Sequence, residues 1–239
     1  MGISGIQIEA VTLSHGGRRL FDGLSLDLSE RRVAIIGRNG AGKTQLARLL
    51  SGLGAPDAGS VRVHGVDVAR DRKAALSTVG ILFQNPDHQI IFPTVEEELT
   101  FGLRSQGHDA QAAAQAVAGM LHSFGRADWA ARPVHELSQG QRHLVCLMAV
   151  LLMAPRVIVL DEPFAGLDMA TTLRLTRHLD AVEQQLVHIT HDLEAVAGYD
   201  RVVWLDAGAV RADGAPGQVI PAYRAEMAAL GGSDAFTDL

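Results

Sequence analysis

A chain of 239 residues suffices for one large domain or two small ones, and a hydrophobic content of 47% supplies a well-filled core. The net charge of −6 argues against nucleic acid as a partner, because such a binding surface is basic. A single cysteine, Cys146, excludes an internal disulfide and fits a reducing compartment.

No apolar run reaches the roughly 18 residues that span a bilayer, and the first residues lack the charged-then-apolar pattern of a secretion signal. The expectation is a cytosolic chain that reaches a membrane only through partners. Residues 6–13 alternate apolar and polar, as a half-buried strand does. A Gly16-Gly17 turn follows, then a strand over 24–28. Residues 33–36 form an apolar run that predicts a buried strand, and residues 45–50 predict a helix.

Between that strand and helix stand Gly37, Arg38, Asn39, Gly40, Ala41, Gly42, Lys43 and Thr44, which fit G-x-x-x-x-G-K-[ST] without a gap. Glycines at these positions let backbone N–H groups turn inward around phosphate oxygens, where a Cβ would obstruct. The helix start adds a partial positive charge. In this motif Lys43 reaches the β- and γ-phosphates of a nucleoside triphosphate and the Thr44 hydroxyl ligates Mg²⁺.

Gly52 to Pro56 stop the helix. Residues 61–66 read as one further antiparallel strand, and 79–83 as a short apolar strand ending at Gln84. The pattern then turns helical. Thr94 and Glu97 form a capping box, and Val117, Met120, Leu121 and Phe124 share one apolar stripe. Ser138 and Gln141 form a second capping box, opening a helix with Leu144, Leu147, Met148 and Leu151 on one face, which Pro155 ends. Residues 86–154 thus read as a helical insertion in an α/β chain.

The α/β pattern resumes with an apolar strand over 157–160, a helix, and a buried strand over 186–189. Asp206-Ala207-Gly208 between two strand-like runs signals a hairpin. Residues 231–239 are polar and are expected to fray.

Asp161 and Glu162 close the 157–160 strand. In a parallel sheet that end faces the glycine loop, so Asp161 is placed to hold Mg²⁺ through water and Glu162 to polarise an attacking water. His191 follows the 186–189 strand and falls at the same sheet edge, within reach of a γ-phosphate. The helix start at Leu137, Ser138, Gln139, Gly140 and Gln141 is a second anion-binding terminus, distant in sequence from the first. Two subunits packed head to tail would use both, each closing over the nucleotide of the other.

In these motifs the chain resembles ATP-binding-cassette ATPases over essentially its full length, residues 1–239. Gly37 to Thr44 match the Walker A loop, Gln84 the Q-loop, Leu137 to Gln141 the signature, Asp161 and Glu162 the Walker B strand end, Asp168 the D-loop and His191 the switch histidine. The resemblance implies a single α/β domain: a RecA-like P-loop core with an N-terminal antiparallel β subdomain and the helical insertion over 86–154. It implies ATP with Mg²⁺, held by Thr44, Gln84 and Asp161. It implies catalysis by Glu162, His191 and Gln84, and a homodimer bridged by Asp168. Two positions depart from the family pattern. Gln139 replaces the first glycine of the signature. His15 stands where an aromatic ring usually stacks on adenine, with Arg18 or Arg19 as alternative stacking partners.

The stretch from Phe83 to Gln89, followed by Thr94 to Gly102, is similar to the ATPases of energy-coupling-factor transporters, importers of vitamins and transition metals. That likeness implies a transmembrane coupling protein docked near Gln84 and Gln89, a separate membrane protein that binds the substrate, and a peripheral position on the cytoplasmic face. The short C-terminal region and the run from Ser138 into Cys146 resemble the ATPase of dedicated biotin transporters, with cobalt or nickel importers as the runner-up. A soluble cassette ATPase and a small-molecule P-loop kinase are the other classes. The first lacks support from heptads or a basic stripe, and the second leaves residues 137–141 without a role.

Overall fold

The computed structural model describes residues 5–231. Its chain begins with a hairpin, β1 (Ile6–His15) and β2 (Arg18–Leu28), joined by Gly16 and Gly17 at φ 58° and 76°. Both residues left-handed is the two-residue turn whose twist matches paired strands. The second strand starts at Arg18, earlier than its alternation suggested. Register shifts along β1 between Ile8 and Ser14 break the period over this stretch.

β3 (Arg32–Ile36) leads into α1 (Lys43–Leu50). The run over 61–66 is not one strand. β4 (Ala58–Val63) and β5 (Val66–Asp67) pair antiparallel through Val63 and Val66, and His64 and Gly65 turn between them at φ 47° and 84°. A left-handed His-Gly pair reverses the chain where sequence alternation runs on uninterrupted.

α2 (Arg72–Thr78) and β6 (Val79–Leu82) return the chain to the sheet. Three longer helices follow: α3 (Val95–Ser105), α4 (Ala110–Ser123) and α5 (Gln139–Leu152). Then come β7 (Val157–Asp161), α6 (Met169–Ala181), β8 (Gln185–Ile189), β9 (Arg201–Asp206), β10 (Ala209–Gly214) and α7 (Pro216–Gly231).

The strands form two sheets, ordered β2-β1-β4-β5 and β10-β9-β3-β8-β7-β6. In the second, β9, β3, β8, β7 and β6 run parallel and only β10 is antiparallel. β7 and β8 are buried at every residue, which is why β7 opens with four apolar residues and β8 is apolar but for Gln185 and His188. α1 is clamped between the sheets. Leu46, Leu49 and Leu50 share one core with Ile6, Phe21 and Leu28 of the first sheet and with Val33, Val159 and Val187 of the second.

Between β6 and β7 lies a separate core of Val95, Leu99, Leu103, Val117, Leu121, Trp129 and Met148. α5 serves two cores, not the single face its leucines suggested. Val145 and Met148 enter the helical core, while Cys146, Leu147 and Val150 pack with Leu82 and Ile158 of the parallel sheet. Leu144 and Leu151 are only half-buried.

α7 is an element the sequence did not announce. Gly217 and Pro221 mask its period, although Pro216 at the start suits a first turn. It packs Val219 and Ile220 beside Trp204 of β9, and Tyr223 meets the Trp204 ring edge-on at 5.1 Å. Gly231 is its last residue; the remainder of the stretch expected to fray lies outside the described residues. Among the described residues no helix is long and apolar enough to cross a membrane.

The turn between β9 and β10 is wedged under the glycine loop. The Gly208 N–H donates to the Ala41 carbonyl at 3.2 Å, and a Cβ at Gly208 would overlap the Leu20 carbonyl. Gly17 has a similar φ of +76° with open space around it. Gly208→Ala is therefore expected to cost about 3 kcal/mol in urea unfolding, against about 1 kcal/mol for Gly17→Ala, which bears the left-handed penalty alone. Equal losses would show that the wedge carries no strain.

Candidate active site

The glycine loop follows β3 because its backbone must reverse where side chains have no room. Gly37 sits at φ 152°, and a Cβ there would run into the Leu205 carbonyl. Gly42 sits at φ 103°, and a Cβ there would approach the Phe21 ring to 2.7 Å. Gly42 is also the N-cap of α1 and offers no side-chain cap. The first N–H groups of the helix therefore have no partner within it or from a cap side chain, which leaves them available to an anion.

The Lys43 ammonium lies across this loop, donating to the Gly37 carbonyl at 2.7 Å and the Arg38 carbonyl at 3.1 Å. Burial pushes its pKa down, and the nearby Glu162 and Asp161 carboxylates push it back up. Ala41 differs from its neighbours in the loop. Its side chain is buried in the core, its N–H donates to the Arg38 carbonyl at 3.2 Å, and it contributes nothing to the cavity wall.

Asp161 ends β7 and is buried. Burial pushes its carboxyl pKa up, while the Thr44 hydroxyl beside it favours the ionised form. Glu162 adopts φ 49°, a left-handed conformation rare outside glycine, while its N–H still bonds the Ile189 carbonyl at 2.9 Å. That single twist turns the two neighbouring carboxylates to different tasks. Glu162 Oε2 lies 2.8 Å from His191 Nδ1 and also accepts from the Thr190 hydroxyl at 3.3 Å and the His191 N–H at 3.4 Å. The ring contact requires a hydrogen on Nδ1, which leaves Nε2 on the outer, exposed side of the histidine.

One cavity of about 950 Å³ brings the loop, the acid pair and His191 together. Gly37, Arg38, Asn39, Gly40, Gly42, Lys43 and Thr44 form its floor, and Gln84, Asp161, Glu162 and His191 one wall. His15 lines the same cavity; Arg18 and Arg19 do not, and Arg19 instead pairs with Asp22 at 3.1 Å. Three lining residues were missed in the sequence: Leu20, Gln45 and Tyr223. Tyr223 comes from the unannounced α7, and its rarity (one of only two tyrosines) was the available signal.

The second helix start stands apart. Ser138, Gln139, Gly140, Gln141, Asp168 and Gln89 are not among the residues lining the cavity. At α5 the capping box closes in both directions: Ser138 Oγ accepts from the Gln141 N–H at 3.3 Å, and Gln141 Oε1 accepts from the Ser138 N–H at 2.9 Å. A Cβ on Gly140 would approach Thr171 to 2.8 Å, and the Gln139 side chain lies over Gly166. Asp168 caps α6, accepting from the Thr171 N–H and hydroxyl, each at 2.9 Å, and these bonds hold its carboxyl below the usual range.

The family model described as "ABC transporter" matches residues 21–165. The biotin transport ATP-binding protein BioM of Rhodobacter capsulatus is 51% identical over 225 residues, covering 94% of this chain and 96% of the relative. The protein of the same name from Rhizobium etli is 38% identical, with coverages of 94% and 99%. Among solved structures, cbiO1 of Clostridium perfringens, part of the ABC transporter complex cbiONQ, superposes with a TM-score of 0.78 at 26% identity over 94% of each chain. This chain belongs to the ABC transporter family and is an ATPase of it.

Proposed function

We propose that this ATPase drives an importer of the energy-coupling-factor type, with biotin as the cargo. The observation that carries the mechanism is the Glu162–His191 pair, at 2.8 Å, in the cavity floored by the glycine loop, with the helix start at Ser138 outside that cavity. One chain supplies a complete phosphate floor and a general base but leaves the second phosphate-binding helix start unused. A homodimer packed head to tail brings Ser138, Gln139, Gly140 and Gln141 of each copy over the nucleotide of the other.

In this reading the N–H groups at the α1 start and Lys43 hold the β- and γ-phosphates of ATP. His15 and Tyr223 offer ring surface to the base. Glu162 accepts the proton of the attacking water, and the His191 Nδ1–H contact fixes the orientation of its carboxylate. Gln84 orients that water, and Asp168 meets the partner copy. Because closure assembles the site, the lone monomer is nearly inactive.

The oxygens at hand suit Mg²⁺. A hard cation of this size takes one or two carboxylates and a hydroxyl, with phosphate and water completing its shell. Thr44 and Asp161 offer that set, with Gln84 nearby; among the described residues no cluster of three His, Cys, Asp or Glu competes as a metal cage. Bound there, Mg²⁺ would offset charge on the phosphate oxygens.

A second groove, of about 380 Å³, supports a membrane partner. Asp87, Ile90, Phe92, Pro93, Val134 and Arg142 line it, and Ile91 and Phe101 are exposed alongside. The buried Glu98 carboxylate accepts the N–H groups of Ile91 and Phe92 at 2.8 and 2.9 Å, which fixes this apolar rim. Gln89 Oε1 accepts from the Phe83 N–H at 3.4 Å, linking the rim to the strand that precedes Gln84. Coupling helices of a transmembrane protein fit this groove, with the substrate held by a separate membrane protein. The ATPase would then sit peripherally on the cytoplasmic face. The biotin assignment follows the named relatives and is checked by labelled biotin uptake in cells with and without this chain.

Glu162→Gln is expected to retain ATP binding, slow hydrolysis about a hundredfold or more, and accumulate dimers in gel filtration with ATP. Normal turnover would remove Glu162 from its role. Lys43→Ala is expected to weaken ATP binding about tenfold or more by titration calorimetry; unchanged affinity would count against the loop reading. Gln89→Ala is expected to leave basal hydrolysis intact while reducing uptake. Loss of basal turnover would instead make Gln89 part of the hydrolytic site.

A further inference from the structure

His143 has no part in the reading above, yet it is fully buried at the centre of it. Its Nε2 lies 3.1 Å from the carbonyl of Gln84, across a sequence separation of 59 residues. Its Nδ1 lies 3.3 Å from the carbonyl of Gln139, one turn earlier on α5. The ring thus spans the chain segment that carries Gln84 and the first turn of the helix that begins at Ser138. A second strap runs beside it. Arg142 Nε pairs with Asp87 at 3.0 Å and its Nη1 donates to the Leu137 carbonyl.

We propose that His143 is a positioning residue for ATP hydrolysis: it bonds the Gln84 carbonyl to the α5 first turn, so that Gln84 and Ser138 to Gln141 move as one body. The inference rests on the dimer reading and deepens it. Gln84 faces one nucleotide, in the cavity of its own chain, whereas the α5 start faces the nucleotide of the other copy. A rigid link between them makes the geometry of one site depend on the other.

The chemistry favours the inter-segment bond. A neutral imidazole carries hydrogen on one nitrogen only. Both facing groups are carbonyls and can only accept. The Gln139 carbonyl already accepts a backbone N–H in the α5 ladder, whereas the Gln84 carbonyl has the ring as its partner, so the hydrogen sits on Nε2. An apolar side chain of similar volume would fill the space and leave the link unmade.

The test compares His143→Leu with His143→Gln, which keeps an N–H donor. His143→Leu is expected to bind a fluorescent ATP analogue with unchanged affinity, because the phosphate floor lies on α1. It is expected to lower kcat about tenfold to a hundredfold and to weaken ATP-driven dimerisation in the Glu162→Gln background. His143→Gln is expected to recover most of both. Full kcat in His143→Leu, or an equal loss in His143→Gln, overturns the proposal. If Glu162→Gln alone forms no dimer with ATP, the dimer reading fails first, and the two failures are distinguishable. A measurement on Glu162→Gln with native His143 stands apart from any folding defect. Hydrogen exchange at residues 84–90 and at the start of α5 is expected to slow together on adding ATP; independent responses overturn the link.

Discussion

The structure depends on a loop that must present bare backbone and therefore cannot hold itself in place. Residues 37–42 supply N–H groups rather than side chains, so the surrounding fold fixes their conformation. Gly37 rests on the Leu205 carbonyl, Gly42 on the Phe21 ring, and Ala41 receives a hydrogen bond from Gly208. Those three supports come from β9, from β2 and from the turn between β9 and β10. The antiparallel sheet is thus part of the active site's scaffold. At the opposite end of that hairpin, Arg201 pairs bidentately with Asp213 at 2.6 and 2.7 Å and reaches Glu30 at 3.1 Å. Removing a hydrophobic contact here would first loosen the loop's ordering and only then the fold.

A similar division of labour explains the acid pair. Consecutive strand residues point to opposite faces, so Asp161 and Glu162 would diverge in a regular strand. Asp161 keeps the strand geometry and is buried beside Thr44, while Glu162 leaves it through a left-handed residue. The cost of that conformation is on the order of 1–3 kcal/mol, and three hydrogen bonds to its carboxylate and one from its own N–H offset it. The strain is localised at the carboxylate that faces His191 in the cavity.

How much of this was legible in the sequence follows from which interactions are local. The glycine loop, the acid pair, His191 and both capping boxes are short-range patterns with a physical cause in each residue, and the structure brings the first three into one cavity. What failed to read was set by tertiary context. His64-Gly65 turns because the pair can adopt positive φ, which alternation alone does not reveal. α7 forms on packing against Trp204 despite Gly217 and Pro221, and with it Tyr223 reaches the cavity. The burial of α5 on two sides could not be read from a stripe of leucines, since its second face meets a sheet distant in the chain.

That two-sided burial matters for how motion could pass through the molecule. A helix with one buried face can rock on its core, whereas α5 is held by the helical core on one side and by β6 and β7 on the other. Its first turn is gripped again. Gly140 lies against Thr171, the Gln139 side chain over Gly166, and His143 against the Gln84 carbonyl. Thr171 in turn holds both oxygens of Asp168. These contacts give a continuous path from the groove beside Phe92 to the start of α5 and on to the start of α6. The Gln139 that replaces the family's glycine strengthens this conclusion. It adds a side chain where α5 meets Gly166 in the loop before α6, and so gives that junction a contact that a glycine could not make.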